Sequence, residues 1–279
     1  MLNQETKQKI IHHYDLVSPY YEKLWGKHIH HRYYLTGKES KEEATENLIK
    51  LIVNKAKIKK KSKILDIGCG IGGTSLWLAK NLNCNVTGIT ISPIQVEIAQ
   101  KISSKSKIKN PPKFFVQDAN DLKIKEKFDV LYAVEMISHL EKRKEFFKRC
   151  ARLLDEDGKF CIADWFKKDR ITELEEKEYI KPINERMMVS LWYSKDYITE
   201  LEKNGLKLKY HEDISQNVKK TWDLCLDIIK RKDFWTLAFK HGKEFVDFLK
   251  AFQNMKNGFE SGNLRYEILV FEKTSKNKG

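Results

Sequence analysis

The chain has 279 residues, with 53 Lys and Arg against 39 Asp and Glu, a formal net charge of +14 and 41% hydrophobic residues. Its apolar runs are a few residues long, far short of the roughly 20 that span a bilayer, and the opening MLNQETKQKI lacks the apolar core of a signal peptide. The composition therefore excludes a membrane span and reads as a soluble, unexported, cytoplasmic protein. Cys69, Cys84, Cys150, Cys161 and Cys225 are odd in number, widely spaced and free of a C-x-x-C pair, which argues against a disulfide framework or a zinc site. Only eight of the basic residues are arginine and the lysines are dispersed, so the charge points to no nucleic-acid partner. The densest run, KAKIKKKSK from Lys55, reads as a solvated face.

In chain order, Tyr14, Tyr20, Tyr21, Trp25, Tyr33 and Tyr34, with His28, His30 and His31, crowd one segment. Such density suggests a water-excluding helical lid, set at residues 1–57. Ser40 and Glu43 form a capping-box signature ahead of the apolar stripe Leu48, Ile49, Ile52 and Val53. A strand is predicted at Lys63 to Ile67, a helix from about Gly73 to Leu82, and a strand from Asn85 through NVTGIT. Ser92 and Pro93 open a helix to about Ser103. Strands follow at Lys113 to Gln117, Phe128 to Val134 and Gly158 to Ala163, with a helix over about Lys142 to Leu154.

Beyond Asp164, Thr172 and Glu175 begin a charged helix, and SKDYITELEKNG is a helix stopped at Gly205. LKLKYHED alternates as a strand, and Val218 to Ile229 gives one amphipathic helix. Phe245, Phe248, Leu249, Phe252 and Met255 give another, LRYEILVFEK closes the chain as a strand, and the Lys-rich tail from Ser275 reads as disordered. The alternation predicts an α/β fold: a Rossmann-like, doubly wound, mostly parallel sheet of seven strands. Residues 58–279 would form this core, with cap helices within about 165–260.

ILDIGCGIGG, from Ile64 to Gly73, is a buried strand breaking into glycine, and Gly68, Gly70 and Gly73 satisfy the dinucleotide spacing G-x-G-x-x-G. A dinucleotide enzyme needs an acid at the end of the second strand to hold the ribose. Here that strand ends in GITIS, with Thr90 and no carboxylate, which favours a nucleoside cofactor without phosphates.

The pattern resembles the class I S-adenosylmethionine (SAM) methyltransferases through Leu65, Asp66, Gly68, Cys69 and Gly70, and through VTGITISPIQVEIAQ, FFVQDAND, FDVLYAVEMISHL and LLDEDGKFCIADW at the intervals of that family. Along most of its length, from YDLVSPYYEKLWGKHIHHRYY to NMKNGFESGNLRYEILVFEK, the chain resembles the tocopherol O-methyltransferase-like group. That group includes sugar O-methyltransferases of the rebeccamycin type and, more distantly, sterol, phosphoethanolamine and prenyl-diphosphate methyltransferases. Arg32 stands where many members carry Gly. The resemblance implies SAM as cofactor and S-adenosylhomocysteine (SAH) as product. It places Asp66, Gly68, Cys69 and Gly70 at the amino-acid end, Thr90, Ile91 and Gln95 along the ribose, and Asp118 and Ala119 at the adenine. Val134 and Glu135 at the end of the fourth strand, with Tyr14 and Tyr33 from the lid, complete the implied cofactor set.

His139 is the candidate base, because imidazole suits proton removal near neutral pH, with a structural histidine as the alternative. Asp164 ends the next strand, and in the sugar O-methyltransferases this His and Asp are the proposed catalytic pair. Ser138 replaces the second acid of the Glu-x-x-Glu-His pattern of some quinone methyltransferases, and no metal is expected. His28, His30 and His31 read as surface or substrate contacts, and Trp192, Tyr193 and Trp222 as pocket lining or cap packing. The expected reaction is O-methylation of a small, partly apolar acceptor. C-methylation of an isoprenoid, quinone or sterol is the alternative. RNA methylation is a more remote alternative that only the net charge supports, and AVEM stands where a base amino-methyltransferase carries N-P-P-Y.

Overall fold

The computed structural model describes residues 4–24, 30–230, 235 and 250–274. The strands β1 (Lys63–Ile67), β2 (Asn85–Thr90), β3 (Lys113–Val116), β4 (Phe128–Val134), β5 (Leu154–Lys167), β6 (Leu206–Asp213) and β7 (Leu264–Lys273) form one sheet in the order β3-β2-β1-β4-β5-β7-β6. The first five pair in parallel, while β7 runs antiparallel between β5 and β6. From β1 the chain winds outward to β2 and β3 on one side, then returns to place β4 on the other side of β1. That is the switch point at which such sheets bind ligands beyond their carboxyl ends.

Successive strand residues face opposite layers. Ile64, Val130 and Tyr132 join Leu48, Ile52 and Leu78 from the helices α2 (Lys41–Ala56) and α3 (Gly73–Leu82) in one buried cluster. Leu65, Ile67 and Leu131 join Phe146, Phe147 and Cys150 of α5 (Arg143–Leu153) and Tyr197 of α8 (Ser194–Glu202) in the other. The sheet is thus covered on both faces, as its near-continuous apolar strands require. Before α2 runs α1 (Gln4–Leu24), and α4 (Pro93–Lys105) follows β2.

Local chemistry sets the boundaries. In α2 the Glu43 amide donates to Ser40 Oγ at 3.2 Å and the Ser40 amide donates to Glu43 Oε2 at 2.8 Å, a complete capping box. Gln95 N–H donates to Ser92 Oγ at 3.1 Å at the head of α4. Gly205 ends the turn after α8 at φ +82°.

Three expectations are corrected. β5 is longer than Gly158 to Ala163, because antiparallel pairing with β7 continues to Lys167; Asp164 therefore lies inside the strand rather than at its end. The charged helix from Thr172 becomes α6 (Glu173–Glu175), a π-turn over Glu176–Ile180 and α7 (Lys181–Met187). Pro182, which has no amide proton to donate back, sits at the restart. The single helix expected over Val218 to Ile229 is divided into α9 (Ser215–Val218) and α10 (Lys220–Ile229). Phe252 and Met255 are buried on the helical stretch 250–260. Phe245, Phe248, Leu249 and the tail at 275–279 lie outside the described residues, as do Trp25, His28 and the side chains of Tyr20 and Tyr21. Among the described residues no helix is long and apolar enough to cross a membrane.

Candidate active site

The carboxyl ends of β1, β2 and β4 open into one cavity beneath α1. Asp66, Gly68, Cys69 and Gly70 line it from the first strand and its bend, Thr90, Ile91 and Gln95 from the second strand and α4, and Asp118 and Ala119 from the turn after β3. Val134, Glu135 and His139 line it from β4 and beyond, and Tyr14 from α1. All but two of the expected site residues thus meet around one space. Tyr33 and Asp164 are not among the lining residues.

The bend is built by backbone. Gly68 N–H and Cys69 N–H both donate to Ile89 O, at 2.8 and 2.9 Å, which folds the loop over the end of β2. Gly68, Gly70 and Gly72 hold φ of +77°, +52° and +85°, a region glycine enters without a Cβ penalty. Neighbouring protein adds a second reason. A Cβ on Gly68 would stand 2.7 Å from Met136 Cβ, and one on Gly72 would stand 2.6 Å from the Phe114 ring. Gly68 and Gly72 are therefore required by packing as well as by backbone conformation.

The carboxylates of this half are tied down differently. Asp66 accepts from Ser75 Oγ at 2.6 Å, and burial pushes its pKa up to about 6. Asp118 takes Asn120 N–H at 2.8 Å on Oδ1 and the Lys7 ammonium at 2.8 Å on Oδ2. The lining they share is mixed, with Ile71, Ile89, Ile91 and Ala119 beside Thr90 and Gln95. Thr90 Oγ1 donates to Gln95 Oε1 at 2.6 Å.

Polar contacts dock α1 over the cavity, among them Lys7 on Asp118, Ser92 Oγ donating to Asp15 at 2.5 Å, and Tyr14 Oη against His139 Nε2 at 3.1 Å. His139 ends the 3-10 turn Ile137–His139. Its Nδ1 lies 3.1 Å from Met188 O, and because a carbonyl can only accept, Nδ1 carries the proton. Nε2 is then the lone pair that receives the Tyr14 hydroxyl. Burial lowers the His139 pKa to about 4, with Arg143 adding to the effect and the Met188 carbonyl opposing it. The ring is neutral at neutral pH.

Asp164 does not bond this ring, contrary to the pairing the resemblance implies. It is fully buried, where it accepts Ser138 N–H at 3.0 Å and Trp165 N–H at 2.9 Å, and burial raises its pKa to about 6. It acts on the turn that carries His139, one residue earlier. Tyr33 is likewise displaced from its implied role. Its amide donates to Ala44 O at 2.7 Å, and its half-buried phenol feels the charges of Glu212 and Lys55.

Glu135, at φ +54°, accepts on one oxygen from His31 N–H (2.6 Å), His31 Nδ1 (3.0 Å) and Tyr266 Oη (2.8 Å). Burial alone would raise its pKa, but His31 holds it below the ordinary value. His31 is no surface contact: it is 2% exposed, against the rings of Trp165, Trp222 and Tyr266. Trp165, Trp222, Met187, Met188, Cys225 and Phe252 make the remainder of the wall largely apolar. Trp192 instead packs under Arg143, 4.7 Å from its guanidinium, and Tyr193 under Lys167 at 4.8 Å. Sequence reasoning missed Tyr266, Met188 and Arg143. The alternation of β7 marks Tyr266 as inward-facing, but nothing local announces the other two.

The family model described as mycolic acid cyclopropane synthetase matches residues 2–264. Among curated proteins, the chain is 28% identical over 223 residues to 27-O-demethylrifamycin SV methyltransferase of Amycolatopsis mediterranei, covering 79% of this chain and 82% of that protein. It is 28% identical over 175 residues to the chloroplastic tocopherol O-methyltransferase of Arabidopsis thaliana, covering 58% of this chain and half of that protein. Among solved structures, mycolic acid cyclopropane synthase CmaA1, complexed with SAH and CTAB, superposes with a TM-score of 0.87 at 18% identity over 96% of this chain and 98% of that one. This likeness matches the seven-stranded, mostly parallel fold.

Proposed function

The chain belongs to the mycolic acid cyclopropane synthetase family of SAM-dependent methyltransferases, and from that premise we propose that it methylates a hydroxyl oxygen of a small, partly apolar metabolite. The cofactor is SAM, and the cavity suits it. Two carboxylates, Asp66 after β1 and Asp118 after β3, line one cavity with apolar side chains, which fits a ligand with an ammonium at one end and an adenine amino group at the other. On this reading Asp66 and the glycine bend hold the amino-acid end, with Val134 and Glu135 beside it. Thr90, Ile91 and Gln95 flank the ribose, and Asp118 and Ala119 meet the adenine once Lys7 yields. When bound, the cofactor supplies a sulfonium methyl for in-line transfer.

The observation that carries the reading is the state of His139: Nδ1 donates to Met188 O and Nε2 is an unprotonated acceptor within the cavity, bonded by the Tyr14 hydroxyl. An acceptor hydroxyl that displaces Tyr14 can pass its proton to Nε2, while Met188 O holds the imidazolium by its other N–H. A base with a pKa near 4 is weak at neutral pH, so its share sits at the lower end of the usual 10²–10⁴-fold. Alignment in a dry chamber roofed by α1 carries more of the rate. Oxygen as the target is supported by the names of the rifamycin and tocopherol enzymes.

A second reading, methylation at carbon, is favoured by the ring faces of Trp165, Trp222 and Phe252 along the wall and by the family's own description. Aromatic faces stabilise a cation formed on the acceptor, and His139 would then take a proton after transfer. Hydroxylated metabolites, prenylated phenols, sugars and isoprenoid diphosphates screened with labelled SAM, beside His139→Ala, separate the two. The expected result is an O-methylated product, with the variant slowed about a hundredfold in kcat and unchanged in SAH affinity. A product methylated at carbon, or full activity of the variant on an O-methylated acceptor, overturns the primary reading.

A further inference from the structure

We propose that Arg143 is a positioning residue for His139, fastening the turn that carries the imidazole to the cap segment that holds it. This rests on the reading of His139 as the proton acceptor. Arg143 opens α5 and is 1% exposed, an unusual place for a cation. Its Nε donates to Ile137 O at 2.9 Å, and its Nη2 donates to Ser138 O at 2.7 Å and to Ser190 O at 2.5 Å. The guanidinium lies over the Trp192 ring. Arg143 is not among the residues lining the cavity, so whatever it does for the reaction it does through other groups.

The two segments it joins both act on His139. Ile137 and Ser138 belong to the turn that His139 ends, and the cap segment around Ser190 supplies Met188 O, the acceptor for Nδ1. Ser190 N–H donates to Ser138 O at 2.9 Å, so that carbonyl is shared by the cap and by Arg143. From the other side, the Asp164 carboxylate takes Ser138 N–H. The Ile137–Ser138 peptide group is thus gripped at its carbonyl by Arg143 and at its amide by Asp164, side chains of opposite charge. Asp164 also offsets the burial of the guanidinium, and Arg143 in turn draws the Asp164 pKa down against the upward push of burial. Met188 is held at φ +53°, which turns its carbonyl. If the cap segment drifts from the turn, Nδ1 loses its acceptor, and the Tyr14 hydroxyl, which can accept as well as donate, does not by itself fix which ring nitrogen bears the proton.

Only a planar fork reaches three carbonyls on two segments; a lysine ammonium keeps the charge without that geometry. Arg143→Lys is therefore the informative variant. The imidazole nitrogens of the full chain are followed by 15N NMR, with His139→Gln assigning the His139 signals, and SAH binding by calorimetry and far-UV circular dichroism report an intact fold. The expected outcome is a single Nδ1–H tautomer of His139 in the wild type from about pH 6 to 8, and a mixture of tautomers in Arg143→Lys. On the best acceptor, kcat falls by at least about tenfold while KM moves by less than about threefold, as for a misplaced catalytic group.

An unchanged His139 tautomer in Arg143→Lys overturns the proposal. A wild-type ring that is already mixed, or protonated on Nε2, overturns it as well, and that measurement requires no variant to fold. The NMR readout uses no acceptor. Full activity of His139→Ala would remove the base reading while leaving the link between Arg143 and the tautomer to be decided by its own spectra.

Discussion

Tyr14 Oη and His139 Nε2, 125 residues apart in sequence, stand 3.1 Å apart inside the cavity. The hydroxyl remains protonated, because burial raises its pKa well above the ordinary phenol range, with Glu135 adding to the effect. It is therefore the donor, and the contact closes α1 over the site while occupying the lone pair that the reaction needs. Tyr14→Phe removes one hydrogen bond to a buried acceptor, about 1 kcal/mol. Proteolytic cleavage within residues 4–24 should then accelerate roughly fivefold, since protease samples the opened population. A cleavage rate equal to that of the wild type would mean that the contact does not hold the helix.

Asp118 and Lys7 make a second contact of α1, with a different expected consequence. Asp118 Oδ1 is committed to Asn120, and Oδ2 faces Lys7, whose side chain is 44% exposed. A partly exposed pair with one flexible lysine contributes little, whereas a charge-assisted hydrogen bond to the cofactor contributes about 1.5–3 kcal/mol. Asp118→Asn should weaken SAH binding about tenfold or more, and Lys7→Ala should change it by less than about threefold. Calorimetric titration with SAH checks both. Equal losses would assign the affinity to the ion pair and remove Asp118 from the adenine.

Gly68 and Gly262 share a left-handed backbone, φ +77° and +72°, but not an environment. A Cβ on Gly262 meets nothing within 4 Å; on Gly68 it would stand 2.7 Å from Met136 Cβ. Gly262→Ala should cost about 1 kcal/mol in denaturant unfolding, the backbone term alone. Gly68→Ala should cost about 2–4 kcal/mol, because overpacking adds to it. Equal costs would show that Met136 moves aside freely.

The sheet was legible because its signals are local. KILDI, NVTGIT and FDVLYAV are short apolar runs bounded by turn residues, and Ser40, Ser92 and Gly205 punctuate the neighbouring helices through chemistry within four residues. The cavity wall from Asp66 to His139 was legible for a related reason. Parallel strands deliver their carboxyl ends to one edge, so positions just beyond β1, β2, β3 and β4 must converge. What escaped was set by contacts distant in sequence. β5 is lengthened by β7, about 100 residues away; Asp164 turned to a backbone amide instead of the imidazole; and His31 was drawn inward by Glu135. No periodicity records those partners. Arg143 is the extreme case, since an arginine in a Lys/Arg-flanked helix start looks solvated until the carbonyls of Ile137, Ser138 and Ser190 are found around it.

The buried titratable groups give opposed contributions to stability across one pH window. For His139 the unfolded ring binds a proton below about 6.5, while the folded ring, lowered by burial to about 4, stays bare. Its contribution is complete above pH 6.5 and is lost as the pH falls to about 4, because there the unfolded state holds the extra proton. His13, also lowered to about 4, chiefly by burial, behaves alike. Asp164 and Asp66 are raised by burial to about 6 from 3.8. The folded state holds the extra proton between those values, so their contribution is complete below about 3.8 and is lost as the pH rises through 6. Two groups of each kind nearly cancel between about pH 4 and 6. Removing one exposes the slope. The stability gap between wild type and His139→Gln should narrow on acidification from about pH 6.5 to 4, by on the order of 2 kcal/mol. The gap to Asp164→Asn should narrow in the opposite direction, as the pH rises. Urea unfolding of the three proteins at several pH values checks this. Parallel stability curves would show that burial has moved neither group.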